Sequence, residues 1–285
     1  MEAATNTTDT TGPRLLGRRP KLSDETQGLL EEQLREAAQL PIPAQPAPGA
    51  APEQNAPSPE GEGAPPYTET AYSFDYAGSH FVAVNSVYWM ASKPTASFGN
   101  RMGVVMPEQM KWLRNDLAAA RARGVDFIFV MTHVPGFPNG GHTGDGMWYG
   151  GKNEEVNEMR REFWTMMGDY GVSAVFTGHE HSYNRLSIDA RIDERFVHPV
   201  WQIVTAGAGA PYYGLSDMPW TKQISVYTPE EHFVIVDVLE PGRARLRAVG
   251  LFGELIDELE LLAPKREWPS EESSSAAAAT EGHQQ

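Results

Sequence analysis

The 285-residue chain contains no cysteine. Disulfide bonds and thiolate metal ligands are therefore excluded, and any metal ion must be held by nitrogen and oxygen atoms. The lack of cysteine by itself does not indicate the redox compartment.

Positive charge is also scarce. The chain has 23 Lys and Arg residues against 38 Asp and Glu residues, a formal net charge of −15 at pH 7. No basic stripe is available to neutralise a phosphate backbone, so we do not expect a nucleic-acid partner. A small phosphoester remains compatible with this charge, because a bound metal ion can dominate the local field.

Long hydrophobic runs are lacking as well. Residues 1–20 contain no apolar core of the kind that a signal peptide needs, and no later run is long enough to span a bilayer. We therefore expect no membrane partner. The compartment stays open, with the cytoplasm as the default expectation.

Composition divides the chain into three parts. Residues 1–66 are predicted to be mostly disordered and end in a linker rich in Pro, Ala and Gly over 41–66. Residues 67–263 carry most of the aromatic and β-branched residues and are long enough to bury a core. Residues 264–285 have the composition of a disordered tail.

One helix is predicted before the linker, over residues 21–40. Ser23 or Asp24 can cap it, and Leu30 and Leu34 follow at helical spacing. Two interpretations remain open: the helix docks on the main domain or frays, or it binds a partner.

The 67–263 region alternates strand and helix patterns. Helices are predicted from Pro107 to Gly124 and over 153–170, each with apolar residues on one face. Strands are predicted over 71–75, 80–86, 126–132, 172–176, 182–188, 200–205, 232–239, 243–249 and 254–261. Strand–helix–strand units followed by an antiparallel meander predict a layered α/β (α+β) fold with a mixed sheet.

Three histidines follow two of the buried strands. His133 ends one apolar run, and His179 and His181 come after the next, beyond Gly178, which allows a tight turn. In an extended backbone, residues separated by one position point the same way. Ligands bind at the carboxyl edge of such sheets, so we predict a nitrogen-rich metal site; three structural histidines are the alternative.

The residue strings around these histidines resemble the calcineurin-like metallophosphoesterases, most closely the purple acid phosphatase branch. Residues 130–135 (VMTHVP) and 178–185 (GHEHSYNR) are similar to the last two motifs of that family. The chain also resembles that branch in residue identity and motif order at 72–76 (YSFDY) and 205–211 (TAGAGAP). The resemblance covers most of residues 67–262.

The resemblance implies a β-sandwich flanked by helices, with a two-metal centre between the sheet ends. It implies that His133 and His179 ligate one ion and His181 the other, the ions being iron, zinc or manganese. The implied activity is hydrolysis of a small phosphoester by water that the metal ions activate.

Three motifs of the family are not found in residues 1–132. They are the aspartates of DxG and GDxxY and the asparagine of GNH. We therefore expect the chain to hold at most one loosely bound ion and to be an incomplete phosphoester hydrolase by itself. The alternatives are a non-catalytic binding or scaffold module, and a chain that works with a separately encoded N-terminal half or as a homo-oligomer.

Further candidates come from the resemblance. His142 lies in a glycine-rich loop and resembles the family histidine that contacts phosphate or protonates the leaving group. Asp145 is placed to orient it. Tyr183 and Arg185 are candidates for substrate binding, although packing beneath the site explains them equally well.

Two carboxylates lie near the histidines in sequence, Asp145 and Glu180. Glu180 alternates away from its flanking histidines in an extended chain. We therefore expect surface roles for both carboxylates rather than metal ligation.

Overall fold

The computed structural model describes residues 54–55, 70–89, 100–144, 154–265 and 268. The helix predicted over 21–40 lies outside these residues, and so does Asp145. Within the described residues, no helix is both long and apolar enough to cross a membrane.

The described residues form thirteen strands and two α-helices, whose order follows the predicted alternation. The strands are β1 (Gln54–Asn55), β2 (Tyr72–Tyr76), β3 (Ser79–Val84), β4 (Val87–Trp89), β5 (Asn100–Met102), β6 (Phe127–Thr132), β7 (Ala174–Thr177), β8 (Tyr183–Ile188), β9 (Val200–Thr205), β10 (Ile224–Thr228), β11 (His232–Glu240), β12 (Arg243–Gly250) and β13 (Leu255–Leu262). The helices are α1 (Pro107–Ala122) and α2 (Glu154–Asp169), with a short 3₁₀ helix at Thr221–Gln223.

A large mixed sheet organises the molecule. Its strand order is β1-β2-β3-β6-β7-β9-β8-β10. The four inner strands β3, β6, β7 and β9 run parallel, and the outer strands pair antiparallel. Helices α1 and α2 make the crossovers into β6 and β7, as parallel neighbours require. The carboxyl ends of the inner strands therefore share one edge.

Two hydrophobic layers cover the large sheet. On one face, Leu117 of α1 and Phe163 of α2 pack with Val130 of β6. On the other face, Phe129 of β6 packs with Leu246 of β12, which belongs to the three-stranded sheet β11-β12-β13. Because β6 is covered on both sides, its sequence is apolar at nearly every position. The layered α/β (α+β) fold is confirmed.

Helix α1 shows how local sequence sets its ends. Pro107 stands at the first turn, where a missing N–H costs no helical hydrogen bond. Arg123 caps the other end, and Gly124 follows with a φ of 78°, a left-handed conformation that favours glycine. Both predicted ends of this helix are confirmed.

The structure also contains elements that the sequence patterns did not predict. Strand β1 lies in the predicted linker and pairs with the edge of β2. The β4–β5 hairpin and β10 were not predicted either. Trp268 lies in the predicted tail, yet its ring packs against the guanidinium of Arg121, with Cζ 4.3 Å from the ring centroid. A two-residue strand is too short to show a periodic hydrophobic pattern in the sequence, and a single aromatic contact produces no such pattern.

Candidate functional site

The candidate site lies where β6 and β7 end. The two strands are paired in parallel up to Thr132 and Thr177. Beyond them, the N–H of Gly178 donates a 2.9 Å hydrogen bond to the carbonyl of His133. This bond ties the two strand ends together and brings the histidines that follow them to one edge of the sheet.

The segment from Gly178 to Ser182 is not extended, which corrects the backbone predicted for it. The N–H of Glu180 donates to the carbonyl of Gly178 at 2.7 Å, and the N–H of Ser182 to the carbonyl of Glu180 at 2.5 Å, so two tight turns follow each other. The left-handed residue is His179, with a φ of 67°, and not Gly178. Such a φ is costly in a residue with a side chain and is common at functional sites.

Four imidazoles lie together at this edge, and we call His133, His142, His179 and His181 the imidazole cluster. His179 Nδ1 is 3.2 Å from His133 Nε2. The ring centroid of His142 is 4.0 Å from that of His179 and 5.9 Å from that of His181. The structure thus brings together all the histidines that the sequence analysis selected.

The cluster carries like charges when its rings are protonated. Partial burial of the ring lowers the pKa of His133, and repulsion from His142 and His181 lowers this pKa further. His133 as a residue is still exposed. A lowered pKa keeps the imidazole neutral near neutral pH, and a neutral ring has a nitrogen lone pair to offer.

His181 is held by its second ring nitrogen. Its Nδ1 lies 2.8 Å from the carbonyl oxygen of Pro211. Its ring stacks on that of Tyr213, with centroids 4.8 Å apart and planes at 20°. Metal-ligating histidines commonly donate their other N–H to a backbone carbonyl in this way.

Glu180 is buried, with no exposed surface, so it does not have the surface role expected for it. Its side chain lies in the interior instead. Oε1 accepts a 3.1 Å hydrogen bond from the backbone N–H of His142. A Cβ at position 140 would lie 2.0 Å from Oε2, so Gly140 leaves room for the carboxylate. Glu180 therefore supports the loop that carries His142.

Several polar residues hold the same loop and were not identified from the sequence. Gln202 accepts from the N–H of Phe137 at 3.0 Å and donates to its carbonyl at 2.9 Å. Trp220 donates to the carbonyl of Pro138 at 2.9 Å. These partners are 65 and 82 residues apart in the chain, so no local motif indicates them.

Tyr183 and Arg185 make their polar contacts with Asp257 of β13. The hydroxyl of Tyr183 donates to Asp257 at 2.7 Å, and the guanidinium of Arg185 donates twice, at 2.6 and 3.0 Å. Burial raises the pKa of the Tyr183 hydroxyl, and its bond to Asp257 raises this pKa further. These contacts favour the packing role left open by the sequence, and substrate binding by either residue stays a prediction.

The described residues fit one metal ion in part and do not fit a metal pair. Two ligands of one ion, each about 2.0–2.1 Å from it, lie about 2.9–3.4 Å apart for right-angle to tetrahedral geometry. The 3.2 Å between His179 Nδ1 and His133 Nε2 falls in that range, and a hydrogen bond between the two rings would have the same length. Among the described residues, no group of three or more His, Asp or Glu side chains is arranged to hold an ion.

Comparison with known proteins finds acid phosphatases among the sequence relatives. Purple acid phosphatase 18 of Arabidopsis thaliana is 27% identical over 161 residues, which cover 53% of this chain and 30% of that protein. An acid phosphatase of Aspergillus ficuum is 27% identical over 143 residues, which cover 40% of this chain and 22% of that protein. No protein-family model matches the chain.

Solved structures give weaker likenesses. The purple acid phosphatase PPD1 from yellow lupin (Lupinus luteus) seeds superposes with a TM-score of 0.49 at 16% identity, covering 67% of this chain and 32% of that one. The sequence matches span less than a third of the length of these relatives. By those matches, the chain is related to the purple acid phosphatases and, through them, to the calcineurin-like metallophosphoesterases.

Proposed function

We propose that the imidazole cluster is the centre of a metal-dependent phosphoester hydrolase of the purple acid phosphatase type. The observation that carries this proposal is the 3.2 Å approach of His179 Nδ1 to His133 Nε2, beside two further imidazoles. His133 and His179 would hold one transition-metal ion such as iron, zinc or manganese. When bound, the ion supplies Lewis acidity toward a phosphoryl oxygen and toward water.

The remaining imidazoles have distinct tasks in this proposal. His142 is the candidate general acid, because its protonated ring can give a proton to the leaving oxygen of a phosphoester. The bond from its backbone N–H to Glu180 fixes where its side chain begins. His181 has its Nδ1 engaged by Pro211, so Nε2 is the nitrogen that it can turn toward substrate or a metal ion.

The histidine ligands also limit how many metal ions the proposed site can hold, and therefore how fast it can hydrolyse a phosphoester. A second ion close to the first needs carboxylate ligands, because neutral imidazoles do not offset the repulsion between two divalent cations. No such carboxylate is in place among the residues that the structure describes. We therefore expect the chain by itself to bind about one ion per molecule and to hydrolyse a generic aryl phosphate slowly.

The experiment compares the full chain with His179→Ala and with His198→Ala, an exposed histidine outside the cluster. Zn²⁺ and Mn²⁺ binding is measured by calorimetry, and hydrolysis of an aryl phosphate is followed with each ion. We expect one weak site per chain in the wild type and in His198→Ala, lost in His179→Ala together with turnover. Equal binding and turnover in all three proteins would refute the proposal.

A non-catalytic module is the second candidate, favoured by the lack of a third ligand in the described part of the chain. The same samples distinguish the two functions. Metal binding that His179→Ala abolishes, with hydrolysis at the background rate in every protein, would favour a binding or scaffold role. Turnover that appears only after addition of a family N-terminal half carrying the three missing motifs would instead favour a chain that works with a separately encoded half.

A further inference from the structure

The segment from Pro211 to Tyr213, which follows β9, contacts two of the four imidazoles. We call it the aromatic wall. Pro211 offers a carbonyl oxygen to His181, and Tyr213 offers its ring to both His181 and His142. No sequence motif assigned a role to this segment, and the inference drawn from it rests on the proposed function.

Pro211 determines which nitrogen of His181 carries the proton. A carbonyl oxygen can only accept a hydrogen bond, so the Nδ1 that lies 2.8 Å from it must be the N–H. In a neutral ring, the lone pair is then on Nε2. A ring with the opposite tautomer would place two acceptors against each other, which costs free energy. The wall thereby presents His181 with its basic nitrogen directed away from Pro211.

Tyr213 determines the planes of two rings. It stacks nearly parallel to His181, with centroids 4.8 Å apart, and meets His142 edge to face, with centroids 5.1 Å apart and planes at 84°. His142 also packs against His179, with ring centroids 4.0 Å apart. His142 therefore contacts two other rings, and rotation about its side-chain bonds would disturb these contacts.

The wall is fixed to β10, because the hydroxyl of Tyr227 donates to the carbonyl of Tyr213. Further along, Ser216 donates through its N–H to the carbonyl of Asn139 and through its hydroxyl to that of Gly140, both at 2.7 Å. The Ser216 bonds join this loop to the loop that carries His142.

Gly141 shows how closely the two loops approach. A Cβ at this position would lie 2.5 Å from the Tyr213 ring, closer than carbon atoms approach without a shift. Only glycine lets the ring take its place. This gives a second way to move Tyr213 without changing it.

We propose that Tyr213 is a positioning residue of the site, whose ring holds the planes of His181 and His142 while the carbonyl of Pro211 holds the tautomer of His181. The ring, and not the hydroxyl, carries this role, since both contacts are made by the ring. Tyr213→Phe is therefore the matched control for Tyr213→Ala.

The first measurement needs no activity. Long-range ¹H–¹⁵N spectra of the imidazoles, recorded at about pH 8 where histidines are mostly neutral, report the tautomer of each ring. We expect His181 to be a single Nδ1–H tautomer in the wild type and in Tyr213→Phe. In Tyr213→Ala, the His181 ring should turn out of the plane that keeps Nδ1 at the Pro211 carbonyl. Its signals should therefore move toward the average of the two tautomers, with a change at His142. Unchanged spectra in Tyr213→Ala would overturn the proposal.

Gly141→Ala is a second variant that tests the same inference if Tyr213→Ala does not fold. A methyl group there should push the Tyr213 ring aside and reproduce the spectra of Tyr213→Ala in a protein that keeps every native ring. Wild-type spectra in folded Gly141→Ala, with the ring displaced, would also overturn the proposal. Dispersed backbone amide signals verify the fold in both variants.

Zn²⁺ affinity and the kinetics of aryl phosphate hydrolysis separate this inference from the proposed function. Loss of an orienting contact beside a metal site commonly costs about 10–100-fold in affinity or activity. We expect a drop of that size in kcat for Tyr213→Ala, with KM nearly unchanged, and wild-type values for Tyr213→Phe. If the wild type neither binds Zn²⁺ nor hydrolyses the ester, the proposed function fails, while the imidazole spectra still decide the role of Tyr213.

Discussion

His80 and the imidazole cluster show two opposite environments for the same side chain. His80 is 1% exposed and lies between two carboxylates, with Nδ1 2.5 Å from Asp75 and Nε2 2.8 Å from Asp116. The cluster rings instead face one another, a tyrosine ring and a backbone carbonyl. The first arrangement binds β2 and β3 to α1, and the second leaves nitrogen atoms available at a sheet edge.

The charge of the neighbouring groups explains the difference. Carboxylate oxygens engage both ring nitrogens of His80, and Ser73 and Arg123 complete the network by donating to Asp116 and Asp75. In the cluster, partial burial and repulsion from His142 and His181 lower the pKa of His133 and favour its neutral form, which is the form that binds a metal ion.

The largest effect that tests this contrast is expected from Asp116→Asn. The substitution removes a buried carboxylate that bonds to both Ser73 and His80, and its amide nitrogen cannot replace the lost acceptor oxygen. Loss of a buried hydrogen bond to a charged group costs about 1.5–3 kcal/mol of the free energy of unfolding. Urea denaturation at neutral pH measures the loss.

His133→Gln is the matched control from the cluster. His133 is exposed, and a substitution at such a position usually changes the free energy of unfolding by less than about 0.5 kcal/mol. If both variants lost the same stability, the two environments would not differ as the contacts indicate.

A smaller effect is expected from Glu180→Leu. This change removes the acceptor for the N–H of His142, and loss of this partly buried hydrogen bond costs about 1 kcal/mol. Hydrogen exchange of the His142 amide should become faster than in Glu180→Gln, which keeps an acceptor oxygen. Equal protection in the two variants would show that Glu180 does not hold the loop.

Tyr183→Phe tests whether Tyr183 belongs to the site or to the packing beneath it. Loss of its bond to Asp257 should lower the free energy of unfolding by about 1 kcal/mol and leave Zn²⁺ affinity and KM unchanged. Thermal unfolding and steady-state kinetics are compared in the same samples. A raised KM with wild-type stability would instead support the predicted substrate-binding role.

The smallest effect is expected for Asp75, in its contribution to the free energy of unfolding at acidic pH. Burial by itself would raise the pKa of Asp75, but hydrogen bonds from Arg123 and His80 outweigh it and lower this pKa. A carboxyl group with a lowered pKa contributes stability above its unfolded pKa of about 3.9, and this contribution is lost as the pH falls through the folded pKa.

Asp75→Asn should therefore be less stable than the wild type by under about 1 kcal/mol at neutral pH, because its amide oxygen can still accept from His80 and the lost ion pair with Arg123 is partly exposed. The difference should narrow below about pH 4. Denaturation curves over a pH series measure it. A difference that widened toward low pH would mean that the pKa of Asp75 is raised.

Local sequence predicted the main elements and their order. The apolar run of β6, the Pro107 start and the Gly124 end of α1, and the β2–β3 hairpin each depend on patterns a few residues long. Strand ends followed by histidines also predicted that His133, His179 and His181 would meet, because the inner strands end at one edge of the sheet. His142 was expected beside them from the family resemblance.

Only the tertiary structure decided what surrounds those histidines. Three residues support the site through partners that are distant along the chain. Glu180 contacts His142, 38 residues away, and Tyr213 approaches Gly141, 72 residues away. Gln202 bonds to Phe137, 65 residues away. The left-handed backbone at His179 and the two carboxylates on His80 are likewise set by packing. A sequence fixes which groups exist and their local periodicity, whereas the partner of a buried polar group depends on which distant segments the hydrophobic layers bring into contact.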